Sequence, residues 1–192
     1  HVHQLRNGRE VRMANPAEMY QEVQALRKAR QRNKFYRYFP DCTEACDGDS
    51  WEVDDHTGMC RVLYPKHEAF FASRARERLM IAANRIGKTQ AGAFETTAHL
   101  TGDYPSWWEG RQFSEPVSWW AVGDTSKTVR DIGQLELMGP MNAIGTGFIP
   151  RHRIEHFSRK PGVTDAIETV WVKHVEKEHG APCLSELGLK SY

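Results

Sequence analysis

The sequence predicts an α/β fold: a parallel sheet with flanking helices, preceded by a helical N-terminal extension with a cysteine-containing loop. Three observations point there. An apolar run, Leu79-Met80-Ile81-Ala82-Ala83, reads as a buried strand and leads through a tight turn into a helix with Ala91, Phe94 and Ala98 on one face. A second buried strand, Val117-Ser118-Trp119-Trp120-Ala121-Val122, leads through Gly123-Asp124 into a helix with Val129, Ile132 and Leu135 on one face. Strand, loop and helix repeated in this way imply parallel strands with crossover helices. Ligands of such sheets bind at the carboxyl ends of the strands, where both loops lie.

Composition sets outer limits. The 192 residues suffice for one domain, or one domain plus an extension. Hydrophobic content of 40% with 27% charged residues suits a globular protein in water. Lys and Arg number 26 against 25 Asp and Glu, so any nucleic-acid surface must be local. No apolar run approaches the length of a membrane span and no signal peptide is visible, so the chain reads as cytosolic.

Taken in order, residues 1–12 are polar and aperiodic and read as a disordered or upstream segment. A helix and a cysteine-rich loop are expected over 13–62, and the α/β core over 63–192. Asn15-Pro16-Ala17-Glu18 is a helix start: Asn caps, Pro occupies the first turn, and Glu sits three residues after the cap. Met19, Val23 and Leu26 form a narrow apolar stripe. The basic end of this helix, Arg27, Lys28, Arg30, Arg32, Lys34 and Arg37, suits the negative pole of the helix dipole. Phe35, Tyr36, Tyr38 and Phe39 interleave with these bases. That pattern fits a nucleic-acid contact, but docking of the helix onto the next domain is the reading adopted.

The stretch 40–60 is acidic and turn-rich, with Cys42-x3-Cys46 and then His56-x3-Cys60. Three thiolates and an imidazole make a tetrahedral Zn²⁺ set. Free cysteines in a reducing compartment are the alternative, and a disulfide is disfavoured there. Pro65 opens a further helix with Phe70 and Phe71 inward, and Gly102-Asp103-Tyr104-Pro105 stops the helix that follows Lys88. Trp107-Trp108 reads as a packed lid over the sheet edge. Gly139-Pro140 ends the second crossover helix. Residues 141–168 read as loop, with recurrent Arg151, Arg153, Arg159 and Lys160. Glu168 to Val175 alternates as an edge strand would, and the tail to Tyr192 completes no obvious element.

The chemistry concentrates at Asn84-Arg85-Ile86-Gly87-Lys88-Thr89. A strand, a glycine loop, Lys-Thr and a helix make the layout of a phosphate-binding P-loop. Backbone N–H groups at the helix start point at an anion, and the dipole favours negative charge there. Gly87 lets the backbone approach a phosphate. Lys88 would reach the β- and γ-phosphates of ATP, and the Thr89 hydroxyl would hold Mg²⁺. The expected cradle comprises Ala83, Asn84, Arg85, Ile86, Gly87, Lys88 and Thr89. It departs from the pattern at Ala82, where glycine is usual. Asp124 follows an apolar strand, as a Mg²⁺-ordering carboxylate would, yet Thr125 rather than Glu comes next. A helix cap by Asp124 or Thr125 is the reading adopted.

The run from Leu63 to Ile132 resembles the ATPase part of the large terminase subunit of tailed bacteriophages, the DNA-packaging motor. The resemblance rests on LYPKHEAFF, AANRIGKT, HLTGDYPSWWEGRQF and WWAVGDTSKTVRDI in that order, joined later by FSRKPGVTDAIETVWVKH. It implies a P-loop NTPase sheet of the RecA/ASCE type, with ATP and Mg²⁺ as cofactors and double-stranded DNA as partner. It further implies a small terminase subunit, a portal and a ring of subunits in the bacterial host cytoplasm. Terminase P-loops often lack the first glycine and carry an arginine, as Ala82 and Arg85 do here. Arg85 would lie near the phosphates as a candidate catalytic residue. Tyr64 and His67 would lie where such motors contact adenine, although a glutamine is usual there. Asp124-Thr125-Ser126-Lys127 resembles the segment coupling ATP state to DNA, which makes Lys127 and Arg130 candidate DNA contacts. No strand here ends in the Asp-Glu pair of the family, and no carboxylate cluster supplies its nuclease. In the family the Asp-Glu strand comes soon after a segment like Leu189-Lys190-Ser191-Tyr192. The chain therefore reads as an N-terminal piece of a terminase, with little hydrolysis of its own.

Two other functions fit the residues. One is a complete small P-loop enzyme using Asp124 for Mg²⁺, which a screen for phosphoryl acceptors would reveal. The other is a non-catalytic nucleic-acid adaptor built on the Zn²⁺ set and the basic stretch 27–37, whose DNA binding would ignore ATP. Brisk turnover by this chain alone would direct attention to Asp124, Glu136 or Glu155 as the water-positioning acid.

Overall fold

The computed structural model describes residues 15–17, 19–21, 24–25, 33–38, 65–175 and 183–192. The chain divides into two compact units, His1–Arg32 and Asn33–Tyr192. In the first, Asn15 caps a helix as its residue type predicts. Its Oδ1 accepts from the Ala17 N–H at 3.1 Å, and its carbonyl accepts from the Met19 N–H at 3.0 Å. Met19 is exposed; Val23 and Leu26 of the expected stripe lie outside the described residues.

The second unit holds a four-stranded sheet and the helices packed on it. In chain order these are α1 (Lys34–Tyr38), α2 (Pro65–Ala72), α3 (Lys88–Thr101), β1 (Ser118–Gly123), β2 (Ile154–Arg159), β3 (Ile167–Lys173) and β4 (Leu184–Ser191). Between β1 and β2 runs a composite helix, α4. It comprises an α-turn Ser126–Thr128, a π-helical stretch Val129–Gln134 and a last α-turn Leu135–Met138. The strand order is β1-β4-β3-β2. β1 and β4 are parallel, while β3 is antiparallel to both of its neighbours, β4 and β2. Strands β1, β2 and β4 therefore run the same way, and their carboxyl ends share one edge.

The core is aromatic. Phe94 is buried at the centre of α3. Its ring stacks on Phe35 at 5.1 Å and on Trp107 at 5.9 Å, and lies within 5.0–6.1 Å of Tyr38, Phe71 and Trp108. Ala91 and Ala98 share the buried side, as the spacing predicts. Phe35 and Tyr38 dock α1 into this core, and the Tyr36 hydroxyl donates to Asp103 Oδ2 at 2.9 Å. Trp107 and Trp108 pack on Phe71 and Phe94, so the pair covers α2 and α3 rather than the sheet edge.

Several expectations from the sequence are corrected. Residues 79–83 are not a strand; they pair with nothing in the sheet, and Leu79 and Ile81 are 81% and 85% exposed. β1 is not a buried strand but an edge, with Trp120 and Val122 exposed on its open side. Ile132 and Leu135 are exposed as well, because the wider π-turn rotates α4 and brings Gln134, Leu137 and Met138 inward instead. β2 falls inside the stretch read as loop. β3 is central rather than at an edge, because the tail forms β4 and slots between it and β1. The sheet is accordingly mixed. Gly123, at the end of β1, admits the close approach of α4: a Cβ there would sit 2.8 Å from Val129 Cγ2.

Candidate functional site

The turn ahead of α3 has two residues in the left-handed region, Arg85 at φ 64° and Gly87 at φ 81°. Glycine adopts that conformation freely, whereas an arginine there costs about 1 kcal/mol. Backbone strain of this kind collects where a loop's shape serves a ligand. α3 starts at Lys88, and no side chain caps its N-terminus. Its first-turn amides thus keep the partial positive charge of the helix start. Lys88 folds back over the loop, its Nζ donating to the carbonyls of Ala82 at 2.5 Å and Ala83 at 2.7 Å. Thr89 is exposed beside it and lines a groove of about 330 Å³ with Gly92, Trp120, Gly123, Thr128 and Ile132. Thr89 at the start of α3 and the end of β1 therefore border one space, although the run before the turn is not the strand that the sequence predicts there.

His67 sits under this loop rather than on its surface. It is buried, its Nδ1 lies 3.4 Å from the Tyr38 hydroxyl, and it hydrogen-bonds the backbone of Ile86. Burial holds the imidazole below its usual pKa of 6.5, and the Ile86 bond offsets this only in part. The folded state therefore keeps His67 neutral while the unfolded chain takes up a proton as pH falls below 6.5. Stability is complete above that pH and declines as pH drops toward the lower folded value. Melting temperature measured at pH 7.5 and 5.5 should fall for the native chain, and His67→Gln should flatten the difference. Tyr64 lies outside the described residues.

The base of the loop is clamped by a buried network. Arg78, next to the 79–83 run, donates to the Phe70 carbonyl at 2.9 Å and to Glu95 Oε1 at 2.5 Å. Glu95 also lies 3.4 Å from His99 Nε2, and His99 Nδ1 lies 3.0 Å from the Tyr104 hydroxyl. That hydroxyl accepts from the Phe113 N–H at 2.9 Å, and burial raises the pKa of Tyr104.

After β1, Thr125 is the cap: its Oγ1 accepts from the Thr128 N–H at 3.1 Å. Asp124 Oδ1 accepts from the Thr125 N–H at 2.8 Å. Hydrogen bonding to Thr128, then to the Thr125 backbone, holds its carboxyl below the usual range. Lys127 is exposed. Arg130 is occupied by Asp131 Oδ1 at 2.7 Å and the Thr164 carbonyl at 3.0 Å. The other acids proposed for water positioning bind lysines: Glu136 takes Lys34 at 3.1 Å and Glu155 takes Lys173 at 2.8 Å. Cys42, Cys46, His56 and Cys60 lie outside the described residues. Among those described, no group of three His, Cys, Asp or Glu side chains is disposed to hold a metal.

Comparison with known proteins adds a relative. Over 113 residues the chain is 34% identical to the terminase large subunit of Salmonella phage P22. The chain is similar to a phage terminase. The match takes in 51% of this chain and 23% of the relative, so the chain spans about a quarter of that protein's length. No family model matches, and no solved structure does. Among the described residues no helix is long and apolar enough to cross a membrane.

Proposed function

We propose that residues 83–89 bind the phosphates of ATP, and that the chain is the ATP-binding part of a phage DNA-packaging terminase. In the longer protein, hydrolysis would drive double-stranded DNA in the host cytoplasm, with a small subunit, a portal and ring neighbours as partners. The observation that carries the reading is the shape of the turn: two left-handed residues feeding an uncapped 14-residue helix, with Lys88 folded over it. Similarity to the P22 protein supports the same assignment.

The residues fit ATP and its metal. Amides of the first α3 turn offer donors to phosphate oxygens, and Gly87 removes a side chain from their path. The Lys88 ammonium is held by neutral carbonyls, which a phosphate outcompetes as a charged acceptor. Thr89, exposed at the helix start, is placed to hold Mg²⁺, whose charge would offset that of the phosphates. Arg85 extends from the strained turn on the exposed side. The sequence has no Asp-Glu pair, and Glu95, Glu136 and Glu155 are committed to cations. The chain by itself would bind ATP and turn it over slowly.

Titration with a fluorescent ATP analogue tests this. Binding should saturate and weaken on chelation of Mg²⁺. Lys88→Ala, removing a charge-assisted contact of about 1.5–3 kcal/mol, should weaken it roughly 10- to 100-fold. Equal affinity in the variant would refute the assignment.

A further inference from the structure

Lys160 stands directly after β2, Ser191 ends β4, and Ser126 opens α4 just past the end of β1. These are the carboxyl ends of the three strands that run the same way. The side chains meet there: Lys160 Nζ donates to Ser126 Oγ at 2.8 Å and to Ser191 Oγ at 3.2 Å, and the two hydroxyls lie 2.9 Å apart. All three are partly buried. The register holds them in place, since Ser191 is opposite Gly123 and the Lys160 N–H closes the β2–β3 turn onto the Ala166 carbonyl at 2.8 Å.

Among the described residues the cation in this cluster has no counter-ion. Arg78, Lys34, Arg130, Arg153 and Lys173 each face a carboxylate. Among the described residues Lys160 faces only hydroxyls, as Lys88 faces only carbonyls. The acid nearest Ser126 in sequence, Asp124, is engaged with Thr125 and Thr128. An ammonium has three donors, and two are used. A partly buried charge gains from an anionic partner that brings acceptors to the third donor and to the hydroxyl protons. Lys127 and Arg159 are exposed on either side in sequence and add positive charge without closing the cluster.

We infer that Lys160, Ser126 and Ser191 form a phosphate-binding site, separate from the P-loop, that holds a backbone phosphate of duplex DNA. The inference rests on the terminase reading for its choice of phosphate source. A diester brings one negative charge and two unesterified oxygens, enough for the ammonium and one or both hydroxyls. Such a contact carries no sequence information; it fixes the position of the duplex on the strand-end edge.

The test is a salt series of duplex binding by the full chain, followed by fluorescence anisotropy of a labelled duplex, with ATP-analogue titrations alongside. Lys160→Met should lower affinity at every salt concentration and make the slope of log K against log salt shallower by about 0.9, the signature of one lost phosphate. Lys160→Arg should retain the native slope. ATP-analogue affinity should be unchanged in both, because Lys160 lies outside the P-loop. Ser126→Ala with Ser191→Ala supplies a milder loss should Lys160→Met fold poorly. A native slope in Lys160→Met, or native affinity in the double serine variant, would overturn the inference. So would absence of duplex binding by a native chain that still binds the ATP analogue. Competition by inorganic phosphate at the strength expected for a free-anion site would also overturn it in favour of a small ligand. Failure of the ATP analogue to bind the native chain would instead strike the P-loop assignment, leaving the salt slope to be read on its own.

Discussion

Replacing Phe94 with alanine should cost about 3–5 kcal/mol of folding stability, the range for deleting a large aromatic from a packed core. Phe94 is 1% exposed and meets five aromatic rings drawn from three separate stretches of the chain. Those rings cannot all collapse into the space it leaves, because α1, α2 and the Trp107-Trp108 turn are each anchored elsewhere. Tyr36 holds Asp103, and the Trp108 Nε1–H donates to the Arg111 carbonyl at 3.0 Å. Urea unfolding measures the loss, with Phe94→Leu as the comparison that keeps most of the volume. A loss below about 1 kcal/mol for Phe94→Ala would show that the cluster repacks and that α3 is held by other contacts. Because the same helix begins with Lys88, a loosened α3 should also weaken ATP-analogue binding.

Glu95→Ala should be nearly as damaging, by about 3 kcal/mol, for an electrostatic reason. The Arg78 and Glu95 side chains are 21% and 8% exposed. Removing the carboxylate leaves a guanidinium largely out of water facing the Phe70 carbonyl and ring, and removes the acid beside His99. Breaking one side of a buried pair costs about 3–5 kcal/mol, whereas replacing both partners with apolar residues of similar volume is often close to neutral. Arg78→Met with Glu95→Leu should therefore recover most of the stability lost in Glu95→Ala, as read by urea unfolding. If the double variant is no better than the single one, the network matters through its hydrogen bonds to Phe70 and Tyr104 rather than through the buried charge. Arg78 immediately precedes the 79–83 run, so nucleotide affinity in the double variant reports whether the clamp also sets the height of the loop.

Much of the candidate site could be read from residue types. Gly-Lys-Thr after an apolar run placed the loop, and Gly87 at positive φ is what that residue is there to permit. Asn15, Thr125, Gly102 and Pro65 marked helix ends that occur where their chemistry requires. The exposed face of β1 was illegible, because Val-Ser-Trp-Trp-Ala-Val is as apolar as a buried strand and says nothing about how many neighbours it has. β4 was missed for the converse reason. Leu184, Leu187 and Leu189 are too few and too irregular, with Gly188 between two of them, to announce a central strand without the neighbours that bury them. The π-turn in α4 defeated a 3.6-residue reading of Ile132 and Leu135.

Local chemistry in the sequence was enough to determine where helices start and stop, that a tight glycine turn precedes α3, and which apolar side of that helix turns inward. These properties depend on neighbours within a turn or two of the chain. Pairing partners, edge positions and the meeting of Ser126, Lys160 and Ser191 were decided only by tertiary structure. They depend on which distant strands lie side by side, and residues 31 to 65 positions apart carry no mark of that proximity until the sheet brings their ends together.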